Sequence, residues 1–107
     1  MKLSIVIPVY NEENLISFLL EKVSKVNLLG NIEKEVIVVN DCSTDNTAVV
    51  LRNYISNNPS QNLVYFEHAT NQGKGAALRT GISRATGDYV VYKMRILNTI
   101  RLSITSC

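Results

Sequence analysis

Cysteine is scarce in this 107-residue chain, with Cys42 and Cys107 the only two. Two thiols cannot build a disulfide framework, and a reducing, cytoplasmic setting is the expectation. Long apolar runs are missing as well. Stretches such as Val36-Ile37-Val38-Val39 fall far short of the roughly 20 residues that cross a bilayer. The opening residues, Met1 to Pro8, carry no small-residue cleavage site, so no secretory signal is expected. The main body has no excess of either charge, since positions 1–91 hold eight basic and nine acidic residues. The formal net charge of +2 comes from Lys93, Arg95 and Arg101, in a stretch without acids. A near-neutral body gives no basis for a nucleic-acid partner. What is present is 46% apolar and 19% charged side chains, which excludes disorder and collagen-like repeats. The length is that of one domain or a piece of a larger one.

Apolar periodicity alternates between two kinds of segment. Leu3 to Val9 is a short β-branched run read as a strand buried on both faces. From Asn14 to Val26, Leu15, Ile16, Phe18, Leu19, Leu20, Val23 and Val26 recur at helical spacing. Glu12 and Glu13 stand at the start of that helix, and Lys22 and Lys25 near its end, as the helix dipole favours. Residues 28–34 connect to a second strand, Glu35 to Asn40. Ser43 to Thr47 is rich in capping residues, and a helix follows through Val49, Leu51, Tyr54 and Ile55. Leu63 to Phe66 is a third strand, Ala76 to Ala85 a third helix, and Tyr89-Val90-Val91 opens a fourth strand. The order βαβαβαβ requires parallel strands joined by right-handed crossovers. The expected class is a Rossmann-like α/β fold with ligands at the carboxyl ends of the strands.

Three polar clusters fall at those ends. They are Pro8-Val9-Tyr10-Asn11-Glu12, Asn40-Asp41-Cys42-Ser43-Thr44-Asp45 and Gln72-Gly73-Lys74-Gly75. Together they supply what a nucleotide pocket needs: an aromatic or proline wall, a carboxylate for base or ribose donors, and a lysine with helix-start amides for phosphates. Each has a plainer reading. Asp45 reads first as a helix cap, whereas Asp41, at a strand end, is expected to face the crevice. Gly73 and Gly75 serve either a tight turn or a phosphate cradle, and Lys74 is either a solvated charge or a phosphate ligand. Cys42 reads as a small turn residue, His68 as a solitary loop histidine, and Tyr54 and Tyr65 as core and sheet residues. A P-loop is excluded because Gly75 follows Lys74 and His68 stands five positions before Gly73. A dinucleotide fingerprint is excluded because no glycine follows the first strand.

Four blocks, in this order and spacing, resemble the N-terminal half of the family-2 nucleotide-sugar glycosyltransferases. The branch is that of the dolichol-phosphate mannosyltransferases and polyprenyl-phosphate sugar transferases. The blocks are Ile5-Val6-Ile7-Pro8-Val9-Tyr10-Asn11-Glu12-Glu13, Val38 to Thr47, Asn71 to Ile82, and Ala85 to Val91, together spanning residues 3 to 91. The family commonly has glycine where Cys42 stands. The resemblance implies a parallel, Rossmann-like half of a sugar-nucleotide domain. It implies that Pro8, Tyr10 and Glu12 line the nucleotide-sugar site, that Val39 and Asp41 hold base and ribose, and that Lys74 belongs to the site. The implied chemistry is sugar transfer, with inversion, from a nucleoside diphosphate to an acceptor such as a lipid phosphate. A divalent metal, Mg or Mn, held by an Asp-x-Asp motif after the fourth strand, neutralises the leaving diphosphate.

After Val91 the family continues in the manner of Ile-Gln-Asp-Ala-Asp-Leu-Glu-Tyr-Asp-Pro, but this chain reads Tyr92-Lys93-Met94-Arg95-Ile96-Leu97-Asn98-Thr99-Ile100-Arg101. No acid follows Asp88, so the metal-ligand pair is absent from the sequence and no catalytic residue is assigned. Codons for residues 91–101, read from the third base of codon 91, permit every residue of Gln-Asp-Ala-Asp-Leu-Glu-Tyr-Asp-Pro. At the Tyr92–Lys93 junction only Gln or a stop is permitted. The expectation is a single lost base near codon 91. Residues 1–91 are then the nucleotide-sugar-binding part of a truncated domain, and residues 92–107 an out-of-frame tail. The product is expected to lack transferase activity and to self-associate through a raw edge at the fourth strand. In the full-length family a lipid-phosphate acceptor implies membrane association. Two other functions fit the residues: a non-catalytic nucleotide-binding or regulatory module, and a subunit whose sheet edge another chain completes. A membrane-surface helix over Met94 to Thr105 is a further reading of the tail.

Overall fold

The computed structural model describes residues 1–25 and 32–92 and the backbone of 93 and 100–102. Along the chain run β1 (Lys2–Val9), α1 (Ile16–Ser24), β2 (Glu33–Asn40), α2 (Thr47–Asn57), β3 (Leu63–Glu67), α3 (Lys74–Arg84), β4 (Tyr89–Lys93) and β5 (Ile100–Leu102). The sheet order is β3-β2-β1-β4-β5, with the first four strands parallel. The β-branched runs of β1 and β2 sit at its centre, where both faces are covered. Ile7, Val9, Val36 and Val38 pack under α1 and α2 with Leu19, Leu20, Leu51 and Tyr54. Val6, Ile37, Val39 and Val90 face α3 through Ala77, Leu78 and Ile82. Alternation along the strands thus sends neighbours to opposite layers. Because β2 and β3 lie on one side of β1 and β4 on the other, the strand order reverses at β1. Such a switch point opens a crevice at the carboxyl ends.

Helix α3 begins at Lys74 rather than at Ala76, and four further details differ from the sequence expectations. Helix α1 begins at Ile16 rather than near Asn14, since the Glu12 and Glu13 amides are held across the rim by Thr47 and Asp45. Phe18 and Leu15, counted among its inward positions, are instead 58% and 41% exposed. The Lys22 ammonium lies 4.8 Å from the centre of the Phe18 ring. Strand β2 begins two residues early, and Lys34 there donates to the Val23 and Ser24 carbonyls at 2.7 and 3.0 Å, satisfying the end of α1. Finally, β4 is not a raw edge. Strand β5 pairs with it antiparallel, Val91 opposite Leu102 and Lys93 opposite Ile100, because main-chain pairing is insensitive to side-chain identity. Val26, the connection at 28–31 and most of the stretch from Met94 to Cys107 lie outside the described residues.

At the amino end of the sheet the buried Glu35 ties β4 into place. Its carboxylate accepts from the Ser4 hydroxyl at 2.8 Å, from the Thr86 amide at 3.2 Å and from the Thr86 hydroxyl at 2.9 Å, and Lys2 lies 3.4 Å away. Gly87 donates its amide to Ser4 Oγ at 2.9 Å, and a Cβ there would stand 2.6 Å from that oxygen. The Thr86-Gly87-Asp88 turn is therefore a docking device for β4.

Candidate functional site

Three strand-tip loops are joined by hydrogen bonds along the carboxyl rim. Asn11, at φ 52°, donates its amide to Ser43 Oγ at 2.9 Å and accepts the Thr44 amide at 2.8 Å through Oδ1. The Glu12 amide donates to Thr47 Oγ1 at 2.9 Å, and the Asp41 amide to the Val9 carbonyl at 2.8 Å. The loop after β1 is thereby fastened to the loop after β2. Asp41 makes the second join, because its carboxylate accepts the Gln72 amide at 2.9 Å and the Gly73 amide at 2.8 Å. Gly73, at φ 95°, takes the left-handed backbone that lets α3 start at Lys74 directly beneath the rim.

Pro8 and Val39 face each other in register near the ends of β1 and β2, and both are buried. Tyr10 is 44% exposed, Glu12 half-buried and Lys74 exposed. Pro8 and Val39 are thus enclosed in the sheet, while Tyr10 and Lys74 are exposed beyond its ends. Asp41 is almost wholly buried. Its side chain is 4% exposed, and it braces the turn that starts α3. Asp45 stands one residue before Asn46, the N-cap of α2, and accepts the Thr47 amide at 2.9 Å.

His68 is not the solitary loop residue expected. Its Nδ1 lies 2.8 Å from Asp41 Oδ1 and its Nε2 2.8 Å from Thr80 Oγ1, with the side chain 8% exposed. A carboxylate only accepts, so Nδ1 donates to Asp41, and Nε2 shares the second hydrogen bond with the Thr80 hydroxyl. The sequence hides this because His68 and Thr80 come from the end of β3 and the middle of α3. Asn40 was also missed. It is 1% exposed, and its Oδ1 accepts the Ser43 amide at 3.1 Å and the Ser43 hydroxyl at 2.6 Å. Its Nδ2 donates to the Tyr65 hydroxyl at 3.0 Å. The Asn-Asp-Cys-Ser run signalled a turn but not which side chains would fold inward to build it.

Two consequences can be measured. Cys42 sits at φ 56°, in the left-handed region that disfavours a Cβ. Cys42→Gly is expected to raise stability by up to about 1 kcal/mol in chemical denaturation, and a loss would contradict the strain argument. Burial by itself pushes the Asp41 carboxyl up, but the Gln72 amide, the His68 ring and the Gly73 amide outweigh it and hold it below the ordinary range. Glu35 behaves alike, burial being outweighed by Ser4, Thr86 and Lys2, as does Asp45 through Thr47 and Glu13. Depressed carboxyls stabilise the fold fully above the ordinary carboxylate range, near pH 4, and lose that contribution as pH falls below it. The denaturation midpoint should therefore hold steady from neutral pH to about pH 5 and drop steeply below about pH 4. A midpoint unchanged to about pH 3 would contradict this.

A parallel α/β sheet that gathers its polar loops at a switch point has the architecture in which open α/β sheets place their ligand sites. The chain belongs to glycosyl transferase family 2, whose sequence profile matches residues 4–92. It is 37% identical over 95 residues to a dolichyl-phosphate beta-glucosyltransferase of Dictyostelium discoideum, covering 81% of this chain and 28% of that protein. It is 34% identical over 90 residues to the undecaprenyl-phosphate 4-deoxy-4-formamido-L-arabinose transferase of Yersinia enterocolitica, covering 84% of this chain and 27% of the relative. Among solved structures it matches a mannosyltransferase of Pyrobaculum calidifontis in complex with GDP-Man and Mn2+. The TM-score there is 0.76 at 32% identity, over 83% of this chain and 26% of that one. It also matches Staphylococcus aureus TarS 1-349 in complex with UDP, with TM-score 0.74 at 34% identity, over 87% and 27% of the two chains. The chain thus spans less than a third of the relatives it matches.

The described residues do not fit a metal. Among them no three His, Cys, Asp or Glu side chains stand close enough to share an ion, so no chemical step is assigned to one. No described helix is long and apolar enough to cross a membrane.

Proposed function

We propose that residues 1–91 are the donor-binding part of an inverting transferase that moves a sugar from a nucleoside diphosphate to a polyprenyl or dolichyl phosphate. The observation that carries this reading is the hydrogen-bonded union of three loops at the switch point, in a chain whose family match runs over residues 4–92. In this reading Tyr10 packs against the base, Asp41 accepts from base or ribose, and Pro8 and Val39 form the floor. Glu12 lines the sugar side, and Lys74 meets the diphosphate with the amides at the start of α3. The lipid-phosphate acceptor follows from the names of the Dictyostelium and Yersinia relatives. It would place the reaction at the cytoplasmic face of a membrane.

Residues 92–107 are, in the same proposal, an out-of-frame tail. Three observations support it: the family match ends at residue 92, no acid follows Asp88, and the codons possible for these residues permit the family's continuing segment in the neighbouring frame. Sequencing the DNA through and beyond codon 91 tests it: the neighbouring frame should encode Gln-Asp-Ala-Asp-Leu-Glu-Tyr-Asp-Pro and run on, and a neighbouring frame without that segment would refute it. The 107-residue chain is then expected to bind a nucleoside diphosphate without turning over its sugar. Calorimetric titration with UDP and GDP, alongside a transfer assay with UDP- and GDP-sugars and added magnesium or manganese, checks both parts. Binding without transfer is the expected result; sugar transfer, or no binding of either nucleotide, would contradict it.

A further inference from the structure

We infer that His68, by filling an acceptor position on Asp41, leaves that carboxylate a single acceptor position for the donor base and so sets a preference for uracil over guanine. The inference rests on the nucleotide-sugar reading above and specifies which donor the site takes. A carboxylate has about four acceptor positions, two on each oxygen. On Asp41, Oδ1 accepts from His68 Nδ1 at 2.8 Å and from the Gln72 amide at 2.9 Å, which fills it. Among the described residues Oδ2 accepts only the Gly73 amide, at 2.8 Å. One position remains.

Uracil presents one imino hydrogen, at N3, between two carbonyl groups, and one acceptor satisfies it. Guanine presents two parallel donors on the same edge, the N1 hydrogen and the 2-amino group, and pairs with a carboxylate through both oxygens. With Oδ1 full, the second guanine donor would enter the crevice without a partner. Sites that leave a buried donor unpaired discriminate strongly against the ligand that brings it. The two amide contacts come from the backbone of the α3 turn and are indifferent to side chains. His68 is therefore the side chain that decides how many positions Asp41 keeps open. Thr80, 2.8 Å from Nε2, holds the ring in that role from the far side. His68 touches no ligand in this scheme; it is a positioning residue that acts through Asp41.

The test is titration of the full chain and of His68→Phe with UDP and with GDP, read as the ratio of the two dissociation constants. The wild-type chain should bind UDP at least tenfold more tightly than GDP, and His68→Phe should shrink that ratio at least threefold. A uniform loss of affinity for both nucleotides, with the ratio unchanged, would show a merely structural role and overturn the inference while leaving the nucleotide-sugar reading intact. A wild-type preference for GDP would do the same. A wild-type chain that binds neither nucleotide would sink the broader reading and this one with it. Should His68→Phe fail to fold, nitrogen-15 NMR of the wild-type chain decides the matter, since the sequence holds one histidine and its ring signals are unambiguous. A hydrogen on Nδ1 is required, and a ring carrying it on Nε2 would overturn the inference.

Discussion

Gly81→Val is expected to leave the chain largely unfolded at 37 °C. Helix α3 crosses β1 so closely at this residue that a Cβ would stand 2.2 Å from Val6 Cγ1 and 3.4 Å from Val39 Cγ2. Both valines are fully buried at the centre of the sheet and have no space to retreat into. Close-packed interiors transmit such a collision to the backbone, and overpacking typically costs about 1–3 kcal/mol, with more where rigid elements collide. A domain of this size has a total stability of only about 5–15 kcal/mol. Even Gly81→Ala, which gains about 1 kcal/mol of helix propensity, should lose on balance. The collision has a specific partner, so a double-mutant cycle isolates it. Val6→Ala is destabilising alone but should recover part of the loss when combined with Gly81→Ala. Additive effects of the two substitutions would show that the close approach is not the cause.

Asp41→Ala is expected to lower stability by about 3 kcal/mol and nucleotide affinity at least tenfold, because it strips partners from two amides and a buried imidazole at once. The Gln72 and Gly73 amides would lose the acceptor that sets the start of α3. Asp41→Asn separates charge from shape. An amide offers one oxygen and turns an NH2 group toward donors, so one of the three bonds becomes a donor–donor clash. Its stability should fall between that of the wild type and that of Asp41→Ala. Urea titration measures the first effect and calorimetry with UDP the second. A variant with full stability but no nucleotide binding would mean that Asp41 serves the ligand alone. Unchanged binding would remove it from the site.

The architecture was legible in the sequence because its signals are local. Ile5-Val6-Ile7 and Val36 to Val39 could only be strands covered on both faces, and the spacing of Leu19, Leu20 and Val23 marked the covering helix. Phe18 misled because its apolar side chain fits the helical period yet lies outside the contact stripe. Helix starts shifted by one or two residues wherever a cross-rim hydrogen bond, such as that from the Glu12 amide to Thr47, replaced a local cap. The three rim loops were legible as polar clusters at strand ends. Their internal wiring was not, because His68, Asp41 and Thr80 meet only after β3 and α3 have packed on β2. Burial of Glu35 against Ser4 and Thr86 was invisible for the same reason, since its partners lie 31 and 51 residues away in sequence. The return strand at 100–102 follows from an open row of main-chain groups on β4 and not from any side-chain pattern.

A backbone amide NMR titration of the 107-residue chain with UDP tests most directly whether the three loops form one donor site. Shifts concentrated at Tyr10–Glu13, Asp41–Asp45 and His68–Gly75, moving together along a single binding curve, are the predicted result. No shifts, or shifts gathered at the amino edge around Ser4, Glu35 and Thr86, would contradict it.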